Sequence, residues 1–146
     1  MRTVFALRGQ ASLETLIVLS ALFAFLLAFI PVINQARELV EFAKTADQAQ
    51  AFAERFSADL KQAQLLGSGN AREWVLSPTS GEIEVSFDAA ANALRITANY
   101  GSHSKKLIKE IGFPVFLTGE SRLKSGSFTI RVKNDSGRVE ASIAKR

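Results

Sequence analysis

The seven residues Arg8-Gly9-Gln10-Ala11-Ser12-Leu13-Glu14 carry the chemistry that this chain most plainly offers. It is of two kinds. The Gly9–Gln10 bond follows a short basic leader and precedes a long apolar stretch, and Gly9 supplies the flexible, side-chain-free site that a protease needs. Hydrolysis there would create a new amine four residues upstream of the Glu14 carboxylate. Glu14 stands at the lip of a membrane-length segment, and no further charge appears until Arg37. An unpaired carboxylate in that setting is costly, and pairing recovers much of the cost. Glu14 would then select one axial stagger between neighbouring helices, because a register-shifted neighbour leaves both charges unpaired. The plainer alternative is an acid in the first helical turn that favours the positive end of the helix dipole, for at most about 1 kcal/mol. Ser12 reads either as a helix N-cap or as part of the processing segment, and Gln10 either as an interfacial polar residue or likewise.

Other chemistry finds little support. The chain has no Cys, which excludes disulfides, thiolate metal sites and Cys nucleophiles. His103 is its one histidine, set between Ser102 and Ser104 and read as a solvated loop residue. A Ser-His-Asp arrangement has no nucleophile motif behind it. Glu82, Glu84 and Asp88 are scattered carboxylates, and the first two face solvent on an alternating strand. No catalytic residue, metal or cofactor is expected. Lys105, Lys106 and Lys109 form a local basic cluster, either a solvated face or a contact for acidic polysaccharide or an anionic surface. Asn134-Asp135-Ser136 is an N-x-S sequon in an expected exposed turn, so Asn134 is a candidate glycosylation site. Turn conformation alone also favours this sequence.

The 146 residues allow one modest domain plus an extended element. The formal charge is +4, and it falls to +2 without residues 1–9. Residues 10–66 hold four basic and six acidic groups, residues 67–146 twelve and eight, with no dense basic stripe. Nucleic-acid binding is not expected. The leader has two arginines and no acid, which favours retention on the cytoplasmic side. Leu16 to Ile33 is apolar except for Ser20 and Pro31, and would span about 27 Å as helix, close to a bilayer core. A secretory signal would be shorter and followed at once by a small-residue cleavage site; the nearest here is Ala51-Phe52-Ala53, too far on.

Gly9-Gln10-Ala11-Ser12-Leu13-Glu14, with Arg8 before it and the apolar run behind, resembles the class III signal peptide of archaeal type IV pilins. That pattern is a basic residue, Gly, then Gln-x-Ser-x-Glu. The resemblance covers residues 8–33. It implies cleavage between Gly9 and Gln10 by a prepilin peptidase, retention of the apolar helix, and Glu14 as fifth residue of the mature chain. It also implies pairing of that Glu with the N-terminal amine of a neighbouring subunit. Archaellins share the leader type but lack the Ser-x-Glu element, so Ser12 and Glu14 favour pilin. The implied partners are the prepilin peptidase, an assembly ATPase with its membrane platform, and identical or related pilins. The implied locations are the cytoplasmic membrane before assembly and an adhesive cell-surface filament after it. Two alternatives share much of this sequence. One is a membrane-anchored binding domain that never polymerises; the other is a minor pilin that primes or tips another filament.

The elements that must position these residues are a long helix and a β head. Pro31 either kinks the helix or marks its exit from the bilayer. Leu39, Phe42, Ala46, Ala49, Ala53, Phe56, Leu60 and Ala63 then recur at helical spacing as one apolar stripe, with Asp59 among the residues on other faces. Gly67-Ser68-Gly69-Asn70 ends the helix. From Gln10, 57 residues of helix would reach about 85 Å. Trp74 and Leu76 suggest a short strand. Ile83, Val85 and Phe87 pair in a hairpin with Leu94, Ile96 and Ala98. Phe128, Ile130 and Val132 pair with Val139, Ala141 and Ile143. Lys105 to Ile111 is read as a helical turn, and Phe113 to Leu117 as an edge strand or loop because of Pro114. The fold class expected is α+β: a long helix, apolar then amphipathic, its second half covered by a small, mainly antiparallel sheet as in type IV pilins. The divisions are 1–9 leader, 10–36 apolar helix, 37–66 amphipathic helix and 67–146 head.

Overall fold

The computed structural model describes the backbone from Thr3 to Arg146 and the side chains from Leu13 onward. It is an α+β protein with one long helix, α1 (Thr3–Leu66), followed by eight strands. These are β1 (Ala71–Leu76), β2 (Glu82–Asp88), β3 (Ala93–Tyr100), β4 (His103–Glu110), β5 (Val115–Gly119), β6 (Arg122–Lys124), β7 (Phe128–Asp135) and β8 (Arg138–Lys145). The chain divides into two compact units, Met1–Arg37 and Glu38–Arg146.

In the first unit every described side chain is exposed, on all faces of the helix. Phe25 and Phe29 touch at a ring separation of 4.6 Å, yet Phe25 stays 60% exposed. The one hydroxyl inside the apolar run is satisfied locally, since Ser20 Oγ donates to the Leu16 carbonyl at 2.7 Å. Helix α1 runs on through Pro31. Proline has no N–H, so the Leu27 carbonyl, four residues back, loses its usual helical donor.

The second unit is a packed core. Ala46, Ala49, Ala53, Phe56, Leu60 and Ala63 are buried, as their spacing requires, and Phe52 joins them. They meet the inward residues of two four-stranded sheets, ordered β1-β7-β8-β5 and β4-β3-β2-β6. The cover is thus two sheets where the sequence suggests one. The pairing is antiparallel except for β5 against β8. Both expected hairpins form, with Val85 opposite Ile96 and Ile130 opposite Ile143. Ser136 and Gly137, at φ of 53° and 83°, make the two-residue turn between β7 and β8, the conformation that matches strand twist.

Residues 105–110 are strand, not a helical turn. They belong to β4, which pairs with β3 along its whole length from Tyr100 opposite His103 to Ala93 opposite Glu110. The two-residue turn Gly101-Ser102 sets that register, and ladder pairing overrides the weak local helical signal. Val115 to Gly119 is an edge strand, as Pro114 before it requires. The helix ends at Leu66, with Gly67 at φ 74° and Asn70 Nδ2 donating to the Leu66 carbonyl at 2.9 Å. Gly81 permits a close approach: a Cβ there would lie 2.6 Å from the Asn99 carbonyl oxygen and 2.7 Å from Thr45 side-chain atoms.

Candidate functional site

Of the residues whose types suggested chemistry, the side chains of Arg8, Gln10 and Ser12, and the surroundings of Gly9, lie outside what the structure describes. Glu14 is described, and it is exposed on a helix whose neighbours are almost all apolar. Among the described residues no partner for its carboxylate is recorded. From Leu13 to Val40 not one side chain is buried. A helix that is apolar all round demands burial in lipid or among other helices. By length and composition α1 is apolar enough to cross a membrane.

The head shows where carboxylates and cations are already engaged. Glu82 and Glu84 lie 3.7 and 3.6 Å from Arg122 Nε. Asp88 accepts N–H bonds from Ala91 and Ala90 and pairs with Arg95. These bonds, the Ala91 N–H above all, hold its pKa below the usual carboxylate value. Lys133 is raised by its hydrogen bond to Glu140, at 2.8 Å. Among the described residues no group of three or more His, Asp and Glu stands ready for a metal. His103 is not a loop residue. It opens β4, half-buried, its ring 5.3 Å from that of Phe42. Lys105 and Lys109 point to one side of that edge strand and Lys106 to the other, a distribution that discourages edge-to-edge pairing.

Asn134 is not exposed. It is 4% accessible, and its Nδ2 donates to the Ala63 carbonyl at 3.0 Å while its Oδ1 accepts the Gly137 N–H at 3.1 Å. The reason is the two-residue period of β7: Phe128, Ile130, Val132 and Asn134 all face inward, and the turn proper begins only at Ser136. A glycan on Nδ2 would have to break this bond and leave the core.

A second buried polar group, Asp59, is central to the head although the helical wheel sets it off the stripe. It is 5% accessible, accepts the Trp74 indole N–H at 2.9 Å, and pairs with Arg72 at 3.1 Å. Arg55 lies over the same indole, 4.3 Å from its centre. The legible signal is position: Asp59 directly precedes Leu60 and follows Phe56 by three, so it borders the buried stripe. The node joins α1 to β1, and both Asp59 oxygens are used within it.

No family model, no curated protein and no solved structure matches this chain.

Proposed function

We propose that this chain is a type IV pilin-like structural subunit, cut between Gly9 and Gln10, held in a membrane by its apolar helix, and then polymerised into a surface filament. The observation that carries the proposal is the unbroken exposure of Leu13 to Val40 on a helix with Glu14 at its lip. Lipid satisfies such a surface in the subunit pool, and the helices of neighbouring copies satisfy it in a filament. Cleavage frees the amine of Gln10, and pairing of that amine with Glu14 of a neighbour fixes the axial register. In the head Asp59, Glu82, Glu84, Asp88 and Glu140 are each engaged with cations or N–H groups, which favours a structural role for them over a catalytic one. Partners under this reading are a prepilin peptidase, an assembly ATPase with its platform, and further pilins.

The test is the N-terminal residue and intact mass of protein recovered from native membranes and cell surface. A chain beginning at Gln10 with its apolar run retained supports the proposal. A chain still beginning at Met1 in a processing-competent cell overturns it and leaves a membrane-anchored domain. Glu14→Ala separates the roles further: processed protein accumulates in the membrane and filament yield collapses. Normal filament yield from that variant removes the pairing role.

A further inference from the structure

The apolar helix and its leader leave one end of the head unexplained. Three loops converge where α1 enters the second unit. The β1–β2 loop reaches the helix through Ser80, whose carbonyl oxygen lies 3.1 Å from Thr45 Oγ1, and through Thr79, bonded to Gln48. The β3–β4 turn sits beside Glu38 and Phe42, by way of Gly101 and His103. The β6–β7 loop joins the first through the Ser77–Ser127 hydroxyl pair at 2.9 Å. Ser80, Gly81, Tyr100, Lys124 and Ser125 line one open cleft between these loops.

This end is basic, and its cations are not neutralised within the head. Lys124 ends β6, Lys145 lies over Gly126 from the end of β8, and Arg146 donates its backbone N–H to the Ser127 carbonyl. Lys105 is the next residue after His103 on the same side of β4. Among the described residues, none of Lys105, Lys124, Lys145 and Arg146 forms an ion pair. Of the acids nearby, Glu41 is engaged by Lys44 and Glu82 by Arg122, which leaves Glu38 beside Gly101 and Glu120, whose backbone N–H bonds the Ile143 carbonyl two residues before Lys145, as two acids against the four cations. Only four residues separate Ile33, where the apolar run ends, from Glu38. That stretch is about 8 Å of helix, and at most roughly 18 Å of chain in any conformation. Where the helix enters the head, the chain is therefore tethered within about one to two Debye lengths of the end of the apolar run, the Debye length being about 8 Å in physiological salt.

We infer that this end of the head is a headgroup-binding surface: while the subunit waits in the membrane, Lys105, Lys124, Lys145 and Arg146 hold the three loops against anionic phospholipid. The inference rests on the membrane reading given above. Charge complementarity selects the occupant, because unpaired lysines tethered beside a bilayer meet phosphate before any soluble partner. The surface gives the subunit pool a defined docked state, and release of these contacts accompanies extraction into a filament.

The experiment uses the full chain in vesicles of phosphatidylcholine, alone or mixed with phosphatidylglycerol. Backbone hydrogen exchange is followed in residues 77–81, 100–103 and 124–127, and alkaline carbonate reports insertion. The expected result is exchange slower on the order of tenfold in the anionic vesicles, lost in molar salt. It is lost also in the Lys105→Gln/Lys124→Gln/Lys145→Gln variant, and kept in Lys109→Gln/Arg138→Gln at the other end of the sheets. Insertion with equal exchange in both vesicles overturns the inference and leaves the membrane reading intact. Protection by free inorganic phosphate in neutral vesicles assigns the surface to a soluble anion and also overturns it. Failure to insert overturns both readings together.

Discussion

Helix α1 carries two stretches that solve the same problem differently. From Ala46 to Ala63 the apolar residues form a stripe, and the chain's own strands bury it. From Leu16 to Ile33 they cover every face, and none of the described residues covers them. The two carboxylates follow suit. Asp59 is enclosed, with an indole and a guanidinium supplied by β1. Glu14 is exposed, with no ion-pair partner among the described residues. A stripe can be completed within one molecule, since one helix face needs one sheet surface. An all-round apolar surface needs either solvent of another kind or several copies. The lesson is that the pattern of exposure, more than any single motif, separates the part whose apolar surface the chain itself buries from the part whose apolar surface calls for lipid or other helices.

The strongest way to break this contrast is to empty the buried stripe. Phe56 is fully enclosed between Phe52 and the sheet residues, so Phe56→Ala should cost about 3–5 kcal/mol in denaturant unfolding of the head. Insertion of α1 in membranes should be unchanged. The mirror experiment charges the other stretch. Leu26→Arg places a cation near the middle of the apolar run and should cost roughly 2.5–3.5 kcal/mol of insertion, read as extraction by alkaline carbonate. The unfolding midpoint of the head should stay where it is. If Leu26→Arg destabilised the head, or Phe56→Ala released the chain from membranes, the division of labour would be wrong.

A milder test concerns the enclosed carboxylate. Asp59→Ala leaves the Trp74 indole N–H without its acceptor and should cost about 1–3 kcal/mol. Trp74 is the only tryptophan, so its fluorescence reports the change directly. Asp59→Asn keeps an acceptor oxygen for the indole and loses only the pairing with half-exposed Arg72, at most about 1 kcal/mol. Equal losses in both variants would place the value of Asp59 in its charge and not in the indole bond.

Much of the head can be read from local patterns, because those patterns are repeated and mutually consistent. The stripe of α1, the stop at Gly67 and both main hairpins follow from period and turn chemistry. What escaped is decided by partners distant in sequence. Whether Lys105 to Glu110 winds or extends depends on β3, which offers a complete ladder to it. Whether the cover is one sheet or two depends on β1 pairing with β7 and not with β2, a ladder between strands far apart in the chain. Asn134 misleads because Asn-Asp-Ser-Gly suits a turn anywhere within it, and only the register with β8 puts the turn two residues later. Lys105, Lys124 and the Lys145-Arg146 pair, without ion pairs among the described residues, come from three separate segments, so no local window shows them as a surface.

The smallest expected effect lies in the β2–β3 turn, where one carboxylate contributes to the acid response of the head. Asp88 caps the β2–β3 turn, accepting the Ala91 and Ala90 N–H groups and pairing with Arg95. Its folded pKa is lowered from 3.8, first by the Ala91 bond, with burial opposing. A group whose folded pKa is depressed adds stability above its unfolded value and loses it as pH falls through the folded one. Asp88 therefore contributes in full above about pH 4 and progressively less below it, with a modest size because solvent still reaches the half-buried group. Asp88→Asn keeps an acceptor for the two amides but cannot titrate. The variant should start slightly less stable at neutral pH and lose less between neutrality and strong acid. Acid titration of the two proteins, followed by Trp74 fluorescence, should show the curves converging at the lowest pH. Curves that diverge there would mean that the turn amides, and not the charge, hold this hairpin in acid.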